Sequence, residues 1–304
     1  MTTFAISLDA EPNDAPSWLA LARRCEAAGF AALLAPDHPG SCASPFVALA
    51  AAAAVTERLE LGSYVSQGGI REPLLLAADV ATLDVVSAGR ARLGLGTGHT
   101  PAEWEMLGSS RPDVDGRVRR FTAVAEAIRA LLAGEEVTVD APELTHRAAR
   151  LTEPRPVRER IPFTFGGGNS TLLRWAGAHA DVVGLSGLGR TLADGHRHLP
   201  RFAAAEVDRQ VALVHEGAAG REAPPVLEAL VQLVEVTDDA GAAAERLADR
   251  FRCSAEDVLA TPYVWVGTED EIRAELVSHG ERWGITRFVV REPAFDTAAA
   301  LLAG

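Results

Sequence analysis

The sequence predicts an α/β protein of the (β/α)8 class, a closed TIM barrel with an insertion after the fourth βα unit. Three observations predict it. Short apolar runs alternate with longer amphipathic ones along the 304 residues, and that alternation implies a parallel sheet crossed by helices. The series reaches about eight strand and helix pairs, which fits a closed barrel better than an open doubly wound sheet. Two apolar runs break into glycines, Arg92-Leu-Gly-Leu-Gly-Thr-Gly-His99 and Ile161-Pro-Phe-Thr-Phe-Gly-Gly-Gly-Asn-Ser170. Strands do this where backbone N–H groups must approach a ligand with no Cβ in the way.

The elements follow in order. Phe4 to Leu8 reads as the first strand, and the helix from Pro16 to Ala28 ends at Gly29. Ala32 to Ala35 is the second strand, before an Ala-rich helix from Pro45 to Val55; Leu59 to Val65 is the third, before a helix from Pro73 to Val86. Arg92 to Gly96 is the fourth. After an irregular segment, a long helix from Arg117 to Leu132 is capped by Gly134. The Pro- and Arg-rich stretch from Thr138 to Arg160 lacks a clear period and reads as the insertion. Phe163 to Gly166 is the fifth strand, Asp181 to Leu185 the sixth and Val226 to Val236 the seventh, while Arg287 to Val290 closes the series after a helix from Thr268 to Trp283. On that last helix Ile272, Leu276 and Trp283 read as core.

A barrel of this kind carries its site at the C-terminal strand ends, where Asp37-His38, Ser66-Gln67, Gly96 to His99 and Gly166 to Asn169 are expected to converge. The second glycine turn opens a helical pattern from Thr171 to Ala180, which suits a phosphate. Neither cluster completes the dinucleotide fingerprint, because His99 stands three residues after Gly96 and Thr171 three after Gly168.

Composition narrows the chemistry. With 48% hydrophobic residues the chain can bury a large core, and it reads as one domain over residues 1–304. The net charge of −13 comes from 42 acidic and 29 basic residues dispersed along the chain, so nucleic acid is not an expected partner. All the basic residues are arginine, which excludes a Schiff-base lysine, a pyridoxal-phosphate anchor and a lysine-bearing phosphate loop. Cys25, Cys42 and Cys253 are too scattered for a disulfide framework or a metal site and read as reduced thiols, Cys25 in the core. His196 and His198 have no acidic or Cys partner for a metal and read as solvated loop residues. The N-terminus has no signal-peptide pattern, and the Ala-rich run from Val47 to Val55 is too short to span a bilayer. The expectation is a cytoplasmic protein with no membrane partner and no metal.

Several segments, in their order and spacing, carry a resemblance over nearly the whole chain. They are Trp18 to Phe30, Leu34-Ala-Pro-Asp-His38, Thr56 to Gly62, and Ala81 to Arg90 leading into Leu93-Gly-Leu-Gly-Thr-Gly98. Later come Gly166-Gly-Gly, Ala180 to Leu185, Val266 to Ile272 and Trp283 to Val290. The sequence resembles the luciferase-like (bacterial luciferase) superfamily of flavin- and deazaflavin-dependent oxidoreductases. The short loop after Asp37-His38 is most similar to members that use coenzyme F420, a 5-deazaflavin with a phosphate and an oligoglutamate tail.

The resemblance implies a homodimer acting on a small-molecule substrate, with the cofactor ring across the strand ends. His38 would be the acid–base residue, and Asp37 would fix its environment or contact the cofactor. Tyr64, Val65 and Ser66 align with a bulge where the family often carries a non-prolyl cis peptide behind the ring. Gly96, Thr97 and Gly98 would leave room for the ring or ribityl chain, and Gly166, Gly167, Gly168 and Asn169 would bond the phosphate. His99 and Leu185 complete the cofactor set, with His99 and Trp104 in a segment covering the pocket; many deazaflavin relatives have an acid or an aromatic residue in place of His99. Arg174, and Arg147, Arg150, Arg155, Arg158 and Arg160 of the insertion, are open between anion contacts and solvation. Two other readings of the same resemblance are an FMN-dependent monooxygenase with a separate reductase, and a family member that binds flavin or a partner without turnover.

Overall fold

The computed structural model describes residues 4–191 and 198–304. Eight parallel strands close into a barrel: β1 (Ala5–Asp9), β2 (Ala32–Ala35), β3 (Glu60–Gln67), β4 (Ala91–Gly96), β7 (Phe163–Gly166), β8 (Val182–Leu185), β11 (Val226–Leu230) and β14 (Ile285–Arg291). The helices between them are α1 (Ala15–Ala28), α2 (Pro45–Ala53), α3 (Pro73–Val86), α4 (Pro101–Met106), α5 (Val114–Ala133), α6 (Ser170–His179), α7 (Ala204–Ala218), α8 (Ala240–Phe251), α9 (Ala255–Ala260), α10 (Glu269–Trp283) and α11 (Phe295–Ala303). Three two-stranded sheets stand apart from the barrel: β5 (Val137–Ala141) with β6 (Leu144–Ala149), β9 (Leu188–Thr191) with β10 (His198–Pro200), and β12 (Leu233–Val236) with β13 (Val264–Gly267). The predicted strands Ala32–Ala35 and Phe163–Gly166 and the helix Pro73–Val86 stand at the predicted residues. No described helix is long and apolar enough to cross a membrane.

The structure corrects two expectations. The seventh strand is two: β11 stays in the barrel, and past Gln232 the chain continues as β12 to pair in parallel with β13. An unbroken apolar run hides this change of partner. The stretch expected to lack regular structure is ordered at its start, where β5 and β6 form an antiparallel hairpin of half-exposed, polar sequence. His196 lies outside the described residues, whereas His198 stands in β10, its Nδ1 3.2 Å from the Gly189 carbonyl oxygen.

The described residues form two compact units, one of residues 10–26 and 32–165 and the other of residues 4–9, 27–31, 166–191 and 198–304. In the first, all of β2 and β4 is buried. Arg90 fastens the N-terminal side of these strands by donating to the carbonyls of Ala53, Thr56, Leu59 and Ser87 and to Thr56 Oγ1. Asp84, fully buried, accepts from Ala91, Val157 and Arg158 N–H groups and so ties down the stretch after the hairpin. The hairpin is held at the other end of the strands. Arg120 of α5 donates to the carbonyls of Gly69 (2.5 Å), Glu143 and Arg71, and His146 Nε2 lies 2.7 Å from Glu72 Oε1.

In the second unit the strand pairs β8–β11, β11–β14 and β14–β1 are parallel. Helix α10 starts with a reciprocal capping box between Thr268 and Glu271 and ends at Gly284 in the left-handed region. Ile272, Leu276 and Trp283 are buried as expected, and Trp283 Nε1 donates to Asp208 at 2.5 Å.

Candidate active site

Strand β2 is Ala-Leu-Leu-Ala and lies wholly inside the protein, so the chain leaves it with Pro36-Asp37-His38 fixed at its C-terminal end. Asp37 is 2% exposed, and a buried carboxylate requires partners. Arg71 supplies a two-point fork, Nε at 2.9 Å and Nη2 at 2.5 Å, and the Gln67 N–H adds a third bond at 3.1 Å. These bonds hold the Arg71 guanidinium above its ordinary pKa against the opposing effect of burial. Burial raises the pKa of Asp79 beside them; the Arg71 charge opposes that shift and the Asp37 charge adds to it. Asp37 thus positions the loop after β3.

His38 turns the other way. Its Nδ1 lies 2.6 Å from Glu103 Oε1 of α4, its ring meets the His99 ring edge-on with centroids 5.6 Å apart, and its side chain keeps 36% of its surface open while Glu103 keeps 3%. Thr100-Pro-Ala-Glu103 has the spacing of a capping box, a role confined to the helix end. In the structure Thr100 makes no side-chain cap bond, and Glu103 is bonded to the imidazole. Sequence reasoning therefore missed Glu103. The usable signal was an acid held one helical turn past the glycine run. Arg71 was missed as well, and nothing at sequence level marks it out from a loop arginine.

The third face of the site comes from β3 and β4. The Tyr64–Val65 peptide is cis, a position the sequence left open, and the β3–β4 register shifts between Ser63 and Ser66. Ser66 Oγ donates to Ser63 Oγ at 2.8 Å, and Ser63 Oγ donates to the Gly94 carbonyl at 3.0 Å. Gly98 has φ +75°, and a Cβ there would sit 2.4 Å from Gln67 Oε1. Gln67 borders this segment, and so does the Trp104 ring, which lies 2.3 Å from where a Cβ on Gly69 would stand and follows Glu103 in α4. Four of their buried polar atoms have no partner: Gln67 Nε2 and Oε1, Glu103 Oε2 and Trp104 Nε1. Each such group costs about 1–3 kcal/mol, so the set fits a ligand that offers both donors and acceptors. Cys42, four residues after His38, has its thiol pushed up to about 11 by burial and by Glu11, so it is no nucleophile at neutral pH.

In the other unit Gly166 to Asn169 leads from β7 into α6. Asn169 caps the helix, its Oδ1 accepting from Thr171 (2.9 Å) and Leu172 (3.1 Å) N–H groups. Gly167 has φ +155°, and a Cβ there would strike Leu172. Leu185 ends β8 and is 1% exposed. Arg174 pairs with Glu216 of α7 at 2.9 Å. Arg150, Arg155 and Arg158 donate to the chain's own carbonyls, at Gly134, Ala133 and Gly89.

A profile of the luciferase-like monooxygenase family matches residues 1–287. The F420-dependent glucose-6-phosphate dehydrogenase of Beutenbergia cavernae is 34% identical over 66% of this chain, and the match spans 61% of that protein's length. The coenzyme F420-dependent tetrahydromethanopterin reductase of Methanopyrus kandleri superposes with a TM-score of 0.76 at 19% identity, covering 99% of this chain and 97% of that one. A long-chain alkane monooxygenase superposes with a TM-score of 0.78 at 14% identity, covering 100% and 91%. These two superpositions establish likeness of fold.

Proposed function

Because this chain belongs to the luciferase-like monooxygenase family, we propose that it is a coenzyme F420-dependent oxidoreductase, moving a hydride to or from a small organic substrate at a C=O, C=N or C=C bond. The observation that carries the reading is the 2.6 Å contact between His38 Nδ1 and Glu103 Oε1. A carboxylate only accepts, so Nδ1 donates to it and Nε2 is the atom that takes a proton from an alcohol or returns one to a reduced double bond. When bound, the deazaflavin supplies the hydride chemistry.

The residues present suit such a group. Gln67 offers a donor and an acceptor side by side, with neither used inside the protein, and the heterocyclic edge of a deazaflavin or a flavin pairs with an amide in both senses. Asp37 holds the end of β3 that carries Gln67, and with Arg71 the loop after it. We assign Tyr64, Val65, Ser66, Gly96, Thr97, Gly98 and His99 to the ring and ribityl chain. Gly166, Gly167, Gly168, Asn169 and Leu185 take the phosphate end, with the dipole of α6 favouring the anion.

The same reading gives a homodimer in the cytosol. Val47 of α2 and Leu75 and Val86 of α3 are exposed apolar side chains suited to a second copy, and the thiols stay reduced.

Fluorescence-quenching titrations of the purified protein with F420 and with FMN test the assignment. Tight F420 binding with weak FMN binding is the expected result. Selective FMN binding would replace hydride transfer with oxygen-dependent monooxygenation, and binding of neither would remove the catalytic reading altogether.

A further inference from the structure

Two arginines flank the glycine turn that leads into α6. Arg209 of α7 donates from Nη1 to Ser170 Oγ, on the first residue of α6, at 3.3 Å, and from Nη2 to Glu206 Oε2 at 3.0 Å. Arg201 Nη1 lies 4.0 Å from that same Glu206 oxygen. Both guanidiniums therefore stand around one oxygen atom, and one carboxylate serves two cations. Arg201 makes no closer ion pair among the described residues. The two side chains are 39% and 40% exposed, open enough to receive a further anion.

The backbone sets this arrangement. A Cβ on Gly177 of α6 would strike the Val214 carbonyl, and one on Gly217 of α7 would strike the Arg174 carbonyl, so the two helices meet backbone to backbone. Arg209 lies about two turns before Gly217, and its root is fixed against α6. Arg201 is tied from the other side. Its N–H donates to the Gly187 carbonyl at 2.7 Å, and Gly189 leaves room for its stem, since a Cβ there would stand 2.9 Å from Arg201 Nε. Between those glycines Leu188 opens β9, its carbonyl 3.6 Å from where a Cβ on Gly168 would stand. Both arginines are thus built onto elements that pack beside Gly166 to Ser170, where the α6 dipole adds to their positive potential. The arginines that sequence offered for a coenzyme tail are spent elsewhere, Arg174 on Glu216 and Arg150, Arg155 and Arg158 on backbone carbonyls.

We propose that Arg201 and Arg209 form a carboxylate-binding site for the oligoglutamate tail of coenzyme F420, next to the phosphate site of Gly166 to Asn169. Glu206 displays the geometry, being a glutamate carboxylate already seated on the pair. It reaches Arg209 at 3.0 Å and Arg201 only at 4.0 Å, so a tail carboxylate completes the fork that Arg201 leaves unfilled. At partly exposed guanidiniums the attraction is modest and falls with salt. FMN ends at its phosphate and gains nothing from the pair, which therefore favours F420 over FMN. The assignment deepens the F420 reading and rests on it.

Fluorescence titrations of wild type, R201Q/R209Q and E206Q with F420 carrying several glutamates, with the same coenzyme carrying none, and with FMN test the site. Wild type should bind the tailed coenzyme at least fivefold more tightly than the tail-less one, a contrast that shrinks in high salt. R201Q/R209Q should abolish the contrast while holding the tail-less form within twofold of wild type. E206Q removes the internal competitor and should widen the contrast, a gain that no folding defect can imitate. Equal affinity of wild type for the two coenzyme forms, or a contrast that both variants leave unchanged, overturns the tail site and leaves the F420 reading standing. A matching loss of the tail-less coenzyme in R201Q/R209Q moves the arginines to the phosphate and overturns the tail site as well. Binding of FMN with neither form of F420 bound would remove the F420 reading itself, and the tail site with it.

Discussion

His38 Nδ1 and Glu103 Oε1 meet at 2.6 Å although 65 residues separate them in the chain, and the carboxylate fixes which imidazole nitrogen carries the proton. E103Q presents an amide that can donate as readily as accept, so the neutral ring will populate both tautomers. Nitrogen-15 NMR of the imidazoles should show the Nδ1–H form in wild type and a mixture in E103Q. With a substrate in hand, H38A should lower the rate by about 10²–10⁴-fold and E103Q by less. A wild-type spectrum dominated by Nε2–H would reverse the assignment of the proton-carrying atom.

Asp37 and Arg71 form a nearly buried pair whose separation leaves one charge uncompensated. D37N should destabilise the protein by about 3 kcal/mol, the scale for breaking a buried pair, read from urea midpoints. D37N/R71M should recover part of that loss, because the second change removes the orphaned cation. Additive losses in the double variant would mean that the two residues act separately.

At Gly98 the left-handed φ and the Gln67 amide 2.4 Å from a notional Cβ act together. G98A should therefore cost about 1–2 kcal/mol of stability and weaken F420 binding at least tenfold by pushing the amide aside. Melting temperature and fluorescence titration measure the two effects independently. Unchanged ring affinity in a destabilised G98A would exclude Gln67 from the binding face.

Most of the barrel was legible because strand and helix periods differ and because glycines punctuate the strand ends. The motif residues that carried the family resemblance are largely structural. Arg90 and Asp84 fasten the N-terminal side of the strands, and Glu26 accepts from three successive N–H groups at Glu57, Arg58 and Leu59. The expected strand end drew attention to Asp37-His38, and the family resemblance supplied the acid–base role proposed for His38. Glu103 was not legible, since its spacing from Thr100 has a sufficient local explanation and only tertiary packing turns it toward His38. The hairpin escaped notice for a related reason: its two strands are half exposed and polar, so no apolar alternation marks them.

A pH effect on stability follows from His279 of α10. Burial and the neighbouring Arg282 lower its pKa from 6.5 to about 4, against a bond with the Thr261 backbone. Between those values the unfolded chain binds the additional proton, so the contribution is complete above pH 6.5 and is lost as pH falls toward 4. The loss amounts to about 3 kcal/mol. Urea midpoints from pH 4 to 7 should rise with pH in wild type and flatten in H279Q; an identical slope in both would place the effect on another group.

Arg120 donates at once to Gly69, Arg71 and Glu143, and in doing so it sets a rule for recombination. A chimera that takes the β5–β6 hairpin from a homologue while keeping its own β3–α3 turn breaks the two ends of one three-way joint. Crossovers placed before Asp37 and after Ala149 carry Arg120 and its acceptors together and keep Asp37 with Arg71 and His38 with Glu103, so residues 37–149 form the natural cassette for transplanting this wall of the site into another barrel.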